Sequence, residues 1–264
     1  MQKHYFDGLY AQSPELYTQA YEKQSRDLIP RLNCRLGISY GDHPRQCFDL
    51  FFADGTRSCR TLVFIHGGYW CRGDKKHRAF IAPAWIRRGI HVIIVNYRLA
   101  PDATLNLICQ DMKLFFQHIH KHARNYSIDT DRIVVSGNSA GAHLVAMTCS
   151  KFNEIRGACL LSGLYDLRPL VGSEIGNTIG LNAENAMALS PLFSPLNKNP
   201  AAVFVGDNET DAFKAQTRIM IDMRTCHGYE TIHATLRGHN HFSIIREVGN
   251  PEGQIGKAIM RMLS

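Results

Sequence analysis

The stretch Arg132-Ile133-Val134-Val135-Ser136-Gly137-Asn138-Ser139-Ala140-Gly141-Ala142-His143 runs an apolar strand pattern straight into Gly137-x-Ser139-x-Gly141. An apolar helical run, Leu144 to Cys149, follows at once. The pattern reads as strand, tight turn and helix, with a serine at the tip. A serine on so sharp a turn sits in strained backbone. The residues two before and two after it must be small for strand and helix to approach each other. The hydroxyl then stands clear of the sheet, at the positive end of a helix dipole. An ordinary glycine-flanked turn would show the same glycines; the flanking strand and helix are what favour a nucleophile.

Working outward, the alternation of strand and helix continues in both directions. Upstream, the spacing of Leu16, Tyr17, Ala20 and Tyr21 predicts a helical arm within residues 1–33, and residues 36–41 and 46–53 read as strands. Thr61 to Ile65 is a buried strand that ends in His66-Gly67-Gly68-Tyr69-Trp70. Phe80 to Arg88 is expected as helix, His91 to Val95 as strand and Leu105 to Arg124 as a long amphipathic helix. Downstream, Gly157 to Leu161, Ala201 to Val205 and Thr231 to Leu236 read as strands, and Ala212 to His227 and Gln254 to Leu263 as helices. Residues 162–200 lack a clean period and contain Pro169, Pro191, Pro195 and Pro200, which suits a lid or pocket-wall insertion. With no repeat or linker, the pattern predicts a single α/β domain spanning 1–264, with a mostly parallel central sheet and helices on both faces. Reactive residues are expected at the carboxyl ends of its strands.

Composition narrows the class. The 264 residues are 45% apolar and 20% charged, enough for a large core and far from a disordered composition. The formal net charge of +7 is scattered in short groups such as Lys75-Lys76-His77-Arg78, without the aromatic interleaving of a nucleic-acid face. It leaves mild steering of anionic substrates open. The eight cysteines form no Cys-x-x-Cys pair and fall largely in apolar runs, so they read as reduced thiols. The N-terminus lacks the apolar core of a signal peptide and no apolar stretch reaches membrane-spanning length, so a cytoplasmic location is expected. The expected partner is a small-molecule substrate, without nucleic acid or membrane; a homodimer is left open.

A serine hydroxyl needs a base, and the base needs an acid to fix its tautomer. After the last strand stand His239 and His241. His241 is preferred because Phe242 and Ile244-Ile245 follow it and would hold the imidazole at a short helix start, whereas His239 lies in the Gly238-x-Asn240 turn. After Gly206 come Asp207, Glu209 and Asp211. Glu209, at the loop crest, is preferred as the acid, with Asp207 as the alternative; Asp211 suits the N-cap of the following helix. The oxyanion hole is expected from the N–H groups of Gly68, Tyr69 and Ala140. Trp70 and Phe242 are expected to line the substrate pocket, with core packing as the alternative. His118, His120 and His122 lack an evident carboxylate or cysteine partner, so a solvated helix face is preferred over a metal site.

These motifs resemble a known family. His66-Gly67-Gly68-Tyr69-Trp70 is similar to the His-Gly-Gly-x-Trp signature of kynurenine formamidases (arylformamidases) within the α/β-hydrolase fold. Tyr97-Arg98-Leu99-Ala100-Pro101 is similar to a segment of hormone-sensitive-lipase-type esterases. Ser162 to Leu170, Leu189-Ser190-Pro191-Leu192 and His241-Phe242-Ser243-Ile244 resemble further formamidase segments. The resemblance covers nearly the whole chain. It implies Glu209 over Asp207, because the acid of the esterase relatives stands three residues after a glycine. It also implies hydrolysis of N-formyl-L-kynurenine through a Ser139–His241–Glu209 triad with no cofactor and no metal. Esterase action on small acyl esters, or a non-catalytic binding role, would use the same fold. Two departures stand out: His143 follows Ala142 where glycine is frequent, and Asn240 stands where an aspartate often precedes the histidine.

Overall fold

Apolar strands with a two-residue period build the centre of the molecule. The computed structural model describes residues 13–55, 59–149, 152 and 155–264. Eight strands form one sheet: β1 (Cys34–Ser39), β2 (Cys47–Phe51), β3 (Cys59–Ile65), β4 (Ile90–Val95), β5 (Ile128–Asn138), β6 (Ile155–Leu161), β7 (Ala201–Gly206) and β8 (Thr231–Leu236). Their spatial order is β1-β2-β4-β3-β5-β6-β7-β8. From β4 to β8 every neighbouring pair is parallel, whereas β1–β2 and β2–β4 are antiparallel. The sheet is thus the mostly parallel one the sequence predicts, with an antiparallel edge that its hydrophobic pattern does not distinguish.

Successive side chains leave opposite faces of a strand, and two cores result. Val63, Ile65, Ile93, Val95 and Val135 pack on one face, under α3 (Leu105–Tyr126), α4 (Ala140–Cys149), α5 (Glu174–Thr178) and α6 (Asp211–Cys226). Leu62, Phe64, Val92, Ile94 and Val134 pack on the other, under α1 (Pro14–Leu28), α2 (Ala82–Ile86) and α7 (Gln254–Leu263). Burial on both faces explains why β3, β4 and β5 are near-continuous apolar runs rather than alternating ones.

Two boundaries differ from the sequence expectation. The helix expected over Phe80–Arg88 splits into a 3-10 turn, Ala79–Ile81, and the short α2, which carries Pro83 in its first turn. The serine-flanking helix starts at Ala140, four residues earlier than its apolar run suggests. All eight cysteines are free thiols; burial pushes Cys149 and Cys159 up to about 12, which leaves them unreactive near neutral pH.

The topology places a crevice. The chain leaves β3 toward α2 on one face and leaves β5 into α4 on the other. The gap outside the carboxyl ends of β3 and β5 is therefore the switch point where open α/β sheets bind ligands. His66–Trp70 and Ser139 stand at those two ends.

Candidate active site

Ser139 sits at φ 55, in the left-handed region, between β5 and α4. The two small residues that flank it are sterically required. A Cβ on Gly137 would come within 2.5 Å of the Gly141 carbonyl carbon, and one on Gly141 within 2.1 Å of the Ile65 carbonyl oxygen. Strand β5, helix α4 and the end of β3 touch through their backbones at this point.

The loop after β3 turns sharply. Gly68, Tyr69 and Trp70 take positive φ in succession, at 123°, 50° and 59°. It is fastened to the serine turn by the Gly67 N–H, which donates to Asn138 Oδ1 at 3.1 Å. From behind, Tyr97 Oη–H donates to the His66 carbonyl at 2.8 Å, and the Tyr97 ring stacks on the His66 ring at 4.5 Å. With Gly67 engaged, the Gly68 and Ala140 amides remain without an acceptor among the described residues. Gly68 and Tyr69 line the same cavity as Ser139.

His241 lies just beyond β8, at the start of a 3-10 turn over Ser243–Gly249. Its Nδ1 is 2.7 Å from Glu209 Oε2. The other oxygen, Oε1, accepts from Ser162 Oγ–H at 2.5 Å and from the Gly206 N–H at 2.8 Å. Glu209 is therefore held by two donors on one oxygen and presents the other to the imidazole. The ring of Phe213 covers His241 at 4.2 Å. Ser139, Glu209 and His241 are all buried, and Ser139 and His241 line one cavity of about 400 Å³.

The alternatives go elsewhere. Asp207 Oδ1 accepts from the Gly238 N–H at 2.8 Å, tying the two loops together. Asp211 is the first helical residue of α6, and Thr210 rather than Asp211 is its N-cap. His239 Nδ1 lies 3.5 Å from Ser243 Oγ. On α3, the rings of His118 and His122 lie tilted 4.5 Å apart and His118 meets Tyr126 Oη at 3.0 Å; no cluster of three metal-ligating side chains occurs among the described residues.

Three expectations about the walls are corrected or refined. Trp70 is a core residue, fully buried with its ring edge-on to His143 at 4.9 Å; the left-handed turn at Tyr69 and Trp70 carries it into the core beside α3 and α4. Phe242 does line the cavity, and it stacks on Tyr17 of α1 at 5.8 Å. The wall expected from residues 162–200 is supplied instead by α1, through Pro14, Glu15, Thr18 and Gln19. Residues 162–200 act from behind: Ser162 holds Glu209, and the Leu189 carbonyl accepts from His143 Nε2–H at 2.8 Å.

The two departures from the family pattern have local explanations. Asn240 Oδ1 accepts from the Phe242 and Ser243 amides at 3.0 and 2.8 Å, capping the turn that carries His241 as an aspartate would. Its Nδ2 also donates to Tyr17 Oη at 3.1 Å, a bond an aspartate could not donate, and this fastens α1 over the histidine. Tyr21 Oη–H adds a bond to the Phe242 carbonyl at 2.8 Å. His143 ties α4 to the segment behind it.

Burial keeps His66 and His143 neutral, lowering them to about 3 and about 4. In the unfolded chain both titrate near 6.5. Between pH 6.5 and 4 the unfolded state therefore binds about two more protons at these sites, and stability falls as pH falls through that window. Replacing His143 with glutamine should reduce the acid dependence of the unfolding free energy by close to one proton between pH 6.5 and 4.5. Urea unfolding at a series of pH values measures it; an unchanged slope would mean His143 is protonated in the native state.

Arg78 and the α1 side chains join the site without a local sequence signal; Ser162 stands in a segment that resembles the family, but its hold on Glu209 shows only in the fold. Asn138 was inside the serine motif, but its carboxamide role shows only in the tertiary contact.

With this geometry in view, the likenesses to known proteins are informative. The BD-FAE family model matches residues 48–163. The kynurenine formamidase of Drosophila melanogaster is 26% identical over 262 residues, covering 92% of this chain and 86% of that protein. Among solved structures, one from Silicibacter sp., provisionally described as a thioesterase, superposes with a TM-score of 0.88 at 28% identity, covering 98% of each chain. Esterase B from Lactobacillus rhamnosis superposes with a TM-score of 0.77 at 18% identity, covering 96% of this chain and 93% of its own. With esterases superposing on nearly all of it and a formamidase similar to it over most of its length, the chain has the α/β-hydrolase fold and is similar to kynurenine formamidases.

Proposed function

We propose that the protein hydrolyses N-formyl-L-kynurenine, or a closely related aryl formamide, to the free amine and formate, using Ser139, His241 and Glu209. The observation that carries the chemistry is the buried Glu209–His241 pair at 2.7 Å opening onto the cavity that Ser139 lines. The substrate class is supported by the likeness to the Drosophila formamidase across most of both chains.

In this reading Glu209 Oε2 accepts from Nδ1–H of His241, which leaves Nε2 free to take a proton. Ser139 Oγ attacks the formyl carbon as Nε2 receives its proton. The oxyanion that forms is met by the amides of Gly68, Tyr69 and Ala140. The imidazolium returns the proton to the arylamine nitrogen, the C–N bond breaks and the amine leaves. Water, deprotonated by His241, then attacks the formyl ester and releases formate and Ser139. A cavity of about 400 Å³ lies within the range of small-molecule sites and accommodates an aromatic amino acid as leaving group.

The test compares kcat/KM for N-formyl-L-kynurenine with that for phenyl acetate and phenyl butyrate. A clear preference for the formamide, abolished in Ser139→Ala, is expected. Fast ester cleavage with negligible deformylation would make the protein a carboxylesterase instead. If an organophosphate failed to label Ser139, the protein would be a binding protein on a hydrolase fold.

A further inference from the structure

Arg78 lines the same cavity as Ser139 and His241 but has no part in the chemistry above. It is only 8% exposed. A buried guanidinium is normally satisfied by a carboxylate, as Arg98 is here by Asp111 at 2.6 Å. Among the described residues Arg78 has no such partner. Its Nη1–H donates to the neighbouring His77 carbonyl at 3.1 Å, its Nε is buried without an acceptor, and its charge sits 5.5 Å from the centre of the Tyr21 ring. Burial lowers the guanidinium to about 10, so it stays charged near neutral pH.

The surrounding groups leave that charge unanswered. Asp74, the carboxylate acting on it, is engaged by Arg45 at 3.2 Å, by Asn96 and by the Lys76 amide. His77 pairs with Glu22 at 3.7 Å. Around the cavity, Arg72 adds a second, exposed cation, and Glu15 on α1 is exposed and makes no ion pair with Arg78. Keeping a desolvated cation unpaired beside a reactive serine is costly unless an anion completes it. A planar guanidinium with free N–H groups is shaped for a carboxylate.

We propose that Arg78 is the anion-recognition residue of this site and binds a carboxylate carried by the leaving group of the substrate. The proposal rests on the hydrolase reading of Ser139 and narrows it to acylated amines or alcohols that bear a carboxylate. When the acyl group is formyl, the anion has nowhere else to reside than on the leaving group.

Two matched pairs test it: N-formyl-L-kynurenine against its α-carboxamide, and 3-acetoxybenzoate against 3-acetoxybenzamide. Each is assayed with wild type, Arg78→Lys and Arg78→Met. Wild type should favour the carboxylate member by roughly 10- to 100-fold in kcat/KM, mainly through KM. Arg78→Met should bring that ratio close to one, and Arg78→Lys should retain part of it. Because the ratio is read within one protein, partial unfolding of a variant cancels. Equal rates for the two members in wild type, or a ratio unmoved by Arg78→Met, would overturn the proposal. An Arg78-dependent ratio on the esters with no deformylation would support Arg78 and defeat the formamidase reading. If neither pair is turned over, calorimetric titration of Ser139→Ala with 3-hydroxybenzoate and its carboxamide reads the same difference. Equal affinities there would also overturn it.

Discussion

Replacing Glu209 with glutamine is expected to lower kcat/KM by about 10³- to 10⁴-fold. The glutamine can still accept from Ser162 Oγ and the Gly206 amide through its carbonyl oxygen, so the loop should keep its shape. Its NH₂ group then faces Nδ1 of His241, where the carboxylate oxygen stood at 2.7 Å. Two donors cannot share that contact, so the imidazole is driven to the tautomer that carries its proton on Nε2 and cannot accept one from Ser139. Asp207→Asn is the informative companion. Asp207 serves the Gly238 amide, and asparagine can accept that bond equally well, so its rate should stay within a few-fold of wild type. Steady-state kinetics with phenyl acetate measure both. A loss confined to Asp207→Asn would move the acid to that residue.

Gly141→Ala should destabilise the fold by more than about 3 kcal/mol, or prevent accumulation of folded protein. The added Cβ would sit 2.1 Å from the Ile65 carbonyl oxygen and 2.7 Å from that of His66. Both are backbone atoms at the end of a central strand, so no side-chain rotation relieves the overlap. The same displacement would shift the His66–Trp70 loop relative to Ser139. Gly228→Ala separates this clash from the general cost of losing a glycine. Gly228 also has a positive φ, 69°, but an added Cβ there meets nothing within 4 Å. It should cost only about 1 kcal/mol. Urea midpoints of the two variants provide the comparison; similar midpoints would mean that the contact between α4 and β3 relaxes easily.

All eight strands are legible in the sequence, the central parallel ones most directly because burial on both faces leaves short apolar runs bounded by loop residues. The direction of β1 and β2 is not, since antiparallel and parallel strands can bury similar faces. The residues placed around the cavity divide in the same way. Ser139, Gly68, Tyr69 and Phe242 stand in or beside compact motifs, and Glu209 and His241 each follow a recognisable strand end. Trp70 belongs to one of those motifs yet ends in the core, because its side-chain direction depends on three consecutive positive φ angles that composition does not encode. The cavity wall from α1 was also hidden: the helical spacing predicts a helix over the domain but cannot say which loop it covers.

By itself, the sequence determined the class of sheet, the serine turn and the chain order of the proposed nucleophile, acid and base, because periodicity and small-residue spacing are local properties. Tertiary structure alone decided what surrounds the serine. Residues far apart in the chain meet only when the sheet is assembled: Tyr17 with Phe242, Ser162 with Glu209, and Asn138 with Gly67. The same holds for Arg78. In the sequence it is one cation in the Lys75-Lys76-His77-Arg78 group, indistinguishable from a solvated charge. Packing under α1 removes it from water and leaves it facing the cavity of Ser139 without a carboxylate among the described residues. Burial and the lack of a carboxylate partner among the described residues are properties of the assembled fold, and they turn an ordinary surface charge into a candidate determinant of specificity.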